Sequence, residues 1–97
     1  MKKTFQLTHE KLNRDRLVDA IRHEIRKYIK RERKRALPKD ADYWDFDCKF
    51  GADEAIADNI HLSEIDKSIT AAVEDDFESF YLEILAKPMQ RAKKESQ

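Results

Sequence analysis

Tyr43-Trp44-Asp45-Phe46-Asp47-Cys48-Lys49-Phe50-Gly51 decides the fold. Trp44, Phe46, Cys48 and Phe50 alternate with Tyr43, Asp45, Asp47 and Lys49. That period of two belongs to a strand with one face on a core and the other in water. Gly51 is the only glycine in the chain and follows the strand directly, which predicts a positive-φ turn there.

Two similar patterns flank this strand. Phe5 and Leu7 alternate with Thr4, Gln6 and Thr8, predicting a strand over about 3–8. Phe80, Leu82, Ile84 and Ala86 alternate with Tyr81, Glu83 and Leu85, predicting a last strand that Pro88 stops. Between strands the period changes. Leu17, Val18, Ile21, Ile25, Tyr28 and Ile29 recur at helical spacing behind Asn13, a natural N-cap, so a helix is expected over about 14–36, ended by Ala36-Leu37-Pro38. Leu62, Ile65, Ile69, Ala72 and Val73 predict a second helix over about 64–75, with Ser63-Glu64-Ile65-Asp66 as a capping pattern. Residues 52–59 read as a loop or one helical turn, and Asn59–Leu62 as an optional short strand.

The order is βαβ(β)αβ. It predicts an α+β domain with two helices on one face of a small, mainly antiparallel sheet, ferredoxin-like if the optional strand pairs back on 43–50. The expected core is Phe5, Leu7, Trp44, Phe46, Cys48, Phe50, Phe80, Leu82 and Ile84 against the helical stripes. Ninety-seven residues allow one domain, expected over 1–88 with a flexible basic tail over 89–97. One cysteine excludes an internal disulfide and a Cys-based metal site, and suits a reducing, cytoplasmic setting. No stretch of more than six residues lacks a charge, so no membrane span is expected.

Trp44 to Gly51 and Ser79-Phe80-Tyr81-Leu82-Glu83-Ile84-Leu85-Ala86-Lys87-Pro88, after the helix with His23-Glu24-Ile25-Arg26-Lys27-Tyr28, together resemble a family of short uncharacterised bacterial proteins, a domain of unknown function. The resemblance spans nearly the whole chain and implies no activity, so function has to come from the charges.

Formal charge sums to zero but is sorted along the chain: residues 1–39 carry 14 Lys/Arg against 5 Asp/Glu, and residues 40–86 carry 2 against 14. Arg22, Arg26, Lys27, Lys30, Arg31, Arg33, Lys34 and Arg35 crowd one helix end. The positions that would continue the apolar stripe, 32 and 35, are Glu32 and Arg35, so the last two turns are expected to stand in solvent. Like charges at i,i+4 cost a helix about 0.2–0.5 kcal/mol per pair, which a partner would offset. Nucleic acid is one such polyanion. The bland explanation is complementarity with the helix dipole.

The other sheet face would show Tyr43, Asp45, Asp47, Tyr81 and Glu83. Carboxylates there repel phosphate and argue against RNA reading on the sheet. Asp45, Asp47 and Glu83 suggest a divalent-metal site or acid–base chemistry, though polar alternation on a solvated strand explains the same spacing. The histidines lack ligand spacing, and a single glycine excludes a P-loop or dinucleotide fingerprint. No catalytic motif and no cofactor is expected. The favoured expectation is a non-catalytic protein-interaction or weakly self-associating module that joins a basic helix end to an acidic sheet face; nucleic-acid binding through 22–35 is the alternative, metal-dependent activity a further one.

Overall fold

The computed structural model describes residues 1–91. Eight segments follow one another. They are β1 (Lys2–Gln6), α1 (Arg14–Arg33), β2 (Tyr43–Gly51), a 3-10 turn (Glu54–Ile56), β3 (Asp58–Ile60), a second 3-10 turn (Leu62–Glu64), α2 (Ile65–Glu74) and β4 (Ser79–Met89). The optional strand exists, at Asp58–Ile60, and pairs with Cys48, Lys49 and Phe50. The fold is α+β, as the alternating periods predict.

In space the strands run β1-β4-β2-β3, every neighbour antiparallel. Each βαβ unit is split: β4 lies between β1 and β2, and β2 lies between β3 and β4. The chain order is that of a ferredoxin-like sandwich. The centre is held by β2 and β4, whereas the ferredoxin-like arrangement centres its first and third strands.

Alternation sends Phe5, Phe46, Cys48, Phe80, Leu82 and Ile84 to one face, where both helices cover them with Ile21, Ile25, Ile65, Ile69 and Ala72. The rings of Phe5, Phe80 and Phe50 stack in a row across three strands, at centroid distances of 5.3 and 4.9 Å. Trp44 and Phe50 flank this core half-buried.

Several boundaries move for physical reasons. β4 continues through Pro88 to Met89. β1 pairs only with residues 79–83, so at Pro88 the strand has β2 as its single neighbour, where a missing donor is tolerated. Met89 thus belongs to the sheet and not to the expected tail, of which residues 92–97 lie outside those described.

α2 is led in by a different cap. The His61 side chain accepts from the Ser63 amide at 3.1 Å while Glu64 Oε1 accepts from the His61 amide at 2.9 Å, so the capping box belongs to His61 and not to Ser63.

Gly51 has no positive φ; that conformation falls on Asp40 and Asp76. Gly51 is required instead by close approach, because a Cβ there would stand 2.7 Å from Ala57 Cα. The loop after β2 is pressed onto the strand.

Candidate functional site

Asn13 caps α1 by accepting from the Arg16 amide, and the buried Ile21 and Ile25 hold the helix on the sheet. Beyond Ile25 the stripe thins to the half-buried Tyr28 and Ile29. The basic side chains of the last two turns are exposed, as expected, but the helix end also rests on aromatic rings. Arg33 lies over the Phe46 ring at 5.6 Å and Arg35 over Trp44 at 5.0 Å, while Arg31 covers Tyr28 at 5.6 Å on its own helix. The Trp44 indole donates to the Arg35 carbonyl at 2.9 Å. Aromatic faces of β2 therefore hold the end of α1 and the turn after it against the sheet.

The eight cations singled out from sequence divide into two groups. Arg22 leaves the surface set, because its guanidinium donates to Asp66 Oδ1 at 2.7 Å and to Thr70 Oγ1 at 2.8 Å, tying α1 to α2. Arg35 is taken up by Glu32 at 2.7 Å and by Trp44. Arg26 reaches Asp66 only at 3.8 Å and stays exposed. Lys27, Lys30, Arg31, Arg33 and Lys34 are exposed and, among the described residues, have no carboxylate at ion-pair distance.

Three of these cations, with Arg26, frame a groove. Arg26, Lys30, Arg33 and Lys34 line it together with Ile29 of α1 and Leu62, which opens the turn leading into α2; its volume is about 540 Å³. Ile29 and Leu62 were legible in the sequence as core positions and only packing reveals their part here. A second depression of about 350 Å³ runs along the outer side of the helix between Lys27, Lys30, Arg31 and Lys34.

The sheet's outer face is not the acidic patch expected. Asp47 receives the Lys87 ammonium at 2.8 Å, and Asp45 is the strand partner of the same lysine. The hydrogen bond to Asp47 leads in pushing the Lys87 pKa up, helped by the charges of Asp47, Asp45 and Tyr43 against a smaller opposing effect of burial. Glu83 sits between Lys2 of β1 and Lys49 of β2 in the register, so charges alternate in sign across that row.

Tyr81 is no exposed platform. It is 4% exposed, and its hydroxyl donates to Glu83 Oε1 at 2.8 Å. Burial first, then that hydrogen bond and the charges of Glu83 and Glu54, pushes its pKa up to about 12. Only Tyr43 of the two aromatics remains exposed. Asp45 Oδ1 accepts from the amide of Phe46, and among the described residues no three His, Cys, Asp or Glu side chains converge as metal ligands.

At the other end of β2 the loop Ala52-Asp53-Glu54-Ala55-Ile56-Ala57-Asp58 carries three carboxylates around Ile56, which is 61% exposed. The sequence reads this segment as a loop or one helical turn, and it holds one 3-10 turn; the exposure of Ile56 carries no signal in a stretch without periodicity.

No helix of the described residues is long and apolar enough to cross a membrane. No curated protein and no solved structure matches the chain. A family model does, over residues 1–95, and it carries the description Family of unknown function (DUF6172). By that near-complete match the chain belongs to this family of unknown function.

Proposed function

We propose that the protein is a non-catalytic interaction module whose working surface is the cationic groove on the C-terminal half of α1, and that it takes an acidic protein segment carrying an apolar residue. The groove itself is the observation that supports this reading. Among the described residues Lys30, Arg33 and Lys34 have no carboxylate at ion-pair distance, and Ile29 and Leu62 put apolar surface between them. Cations alone would suit any polyanion. Apolar lining between them suits a segment that alternates acid and aliphatic side chains, and a groove of this size is within the ~300–1,000 Å³ of ordinary ligand clefts.

A reducing, cytoplasmic setting is part of the same reading. Cys48 is a lone buried thiol, and burial followed by the charges of Asp47 and Asp45 pushes its pKa up to about 11, far from the reactive range.

A synthetic peptide alternating Glu and Leu, titrated into labelled protein while amide shifts are followed, tests the proposal. Saturable shifts at Ile29, Lys30, Arg33 and Leu62 are expected, with binding roughly tenfold weaker in Lys30→Glu. Absence of those shifts overturns the reading.

The outer row of Lys27, Lys30, Arg31 and Lys34 favours a second reading, nucleic acid. Preference for RNA or DNA over the peptide, with a salt slope that flattens by roughly one unit per phosphate contact removed, would establish that alternative.

A further inference from the structure

A groove that takes an acidic segment with a central aliphatic residue has a counterpart on the protein itself. Asp53-Glu54-Ala55-Ile56-Ala57-Asp58 projects from the far end of β2 and matches that description. Ile56 is 61% exposed, while the other exposed large hydrophobics of the described residues stand between 38% and 40%. Burying an aliphatic side chain of this size is a strong incentive to associate.

Asp53, Glu54 and Asp58 surround it and have no cation at ion-pair distance among the described residues. Asp53 also caps the turn, accepting from the Ile56 amide at 3.2 Å, and Ala57 is pressed on Gly51. These two contacts restrain the segment, and a restrained segment has less entropy to lose on docking.

Within one chain this loop and the groove are separate. Ile56 borders a cleft with Phe50, Ser68, Ala71, Asp75 and Phe77, none of which lines the cationic groove. The loop is held to β2 by β3, the short strand that follows it. Its natural receiver is therefore another molecule.

We propose that the acidic Ile56 loop of one copy docks in the groove between Ile29 and Leu62 of a second copy, so that the protein associates head to tail. Ile56 covers the apolar lining, and Asp53, Glu54 and Asp58 face Arg26, Lys30, Arg33 and Lys34. The two patches are different surfaces, which makes the contact heterologous. One loop in one groove is far smaller than a standard interface of about 1,600 Å², so association is weak, concentration-dependent and sensitive to salt. This inference rests on the reading of the groove proposed above.

Sedimentation equilibrium of the full chain, at low and at molar salt, measures the self-association. The weight-average mass is expected to exceed the monomer's and rise with concentration at low salt, and to fall to the monomer's at molar salt, where screening reaches within about 3 Å. Two surface variants then separate the patches: Ile56→Lys removes the loop's apolar tip, and Lys30→Glu with Lys34→Glu reverses the groove. Each alone should be monomeric. An equimolar mixture should associate again, since one variant keeps an intact groove and the other an intact loop.

A wild-type chain that stays monomeric at low salt, or a mixture that stays monomeric, overturns the head-to-tail contact. If the Glu-Leu peptide still shifts the groove resonances in that case, only the identity of the occupant has failed; if it does not, the groove reading has failed as well.

Discussion

Cys48 is 2% exposed and lies on the helix-facing side of β2, where ionisation would place a thiolate in the core beside Asp47 and Asp45. Its pKa rises from 9.0 to about 11, and that of Tyr81 from 10.0 to about 12. The folded state therefore holds protons that the unfolded chain releases. Stability from this source is complete below pH 9.0 and drains as pH climbs toward 11. Urea midpoints should fall between those values, less steeply in Cys48→Ala, and a thiol reagent at neutral pH should label the native protein only after denaturant is added.

Gly51 makes a second prediction at this scale. An alanine there must displace the backbone at Ala57, so Gly51→Ala should cost about 1–3 kcal/mol in denaturant unfolding, although its φ is one that alanine accepts. The lone glycine was legible as a special position; the reason for it was not, because a sequence shows φ preference and hides which backbone comes close.

The elements themselves were legible wherever a period ran long enough. α1 begins where Asn13 says it should, and β2 follows its alternation from Phe46 to Phe50, with Trp44 and Asp45 both half-buried. Legibility fails at the ends. The helix expected to continue to residue 36 stops at Arg33, where the Lys34 and Arg35 amides turn to the Arg31 and Glu32 carbonyls and Arg35 lies over Trp44. α2 ends in a Schellman motif, with Phe77 N bonded to Ala72 O at 3.0 Å and Asp76 N to Val73 O at 3.1 Å, and Asp76 in the left-handed conformation that glycine would ordinarily supply. The lead-in to α2 hangs on His61. His61→Ala should cost about 0.5–2 kcal/mol and raise hydrogen exchange through residues 62–66, whereas Ser63→Ala, which keeps the amide donor and removes only the hydroxyl 2.8 Å from His61 Nδ1, should cost less.

On the scale of the whole molecule, the two split βαβ units are joined by the sheet, the common core and side-chain links between the helical layers, among them the Arg22 guanidinium on Asp66 and Thr70 and the Arg14 guanidinium on the Phe77 carbonyl. Arg22→Met should lower stability by about 1 kcal/mol, reduced by the exposure of Asp66, and leave peptide binding in the groove unchanged. Lys30→Glu should do the reverse. That contrast separates a cation used inside the fold from one held at the surface, a distinction the crowded run 22–35 conceals.

The sequence by itself determined the class of fold, the core stripe and the sorting of charge, because each depends on spacing along one chain. The tertiary structure decided the partners of those charges. Strand register set Lys2, Lys49 and Lys87 among Asp45, Asp47 and Glu83 and dissolved the acidic face, while helix packing set Lys30, Arg33 and Lys34 around Ile29 and Leu62, with no carboxylate at ion-pair distance among the described residues. Coulomb energy depends on distance in space, and only the folded chain supplies those distances.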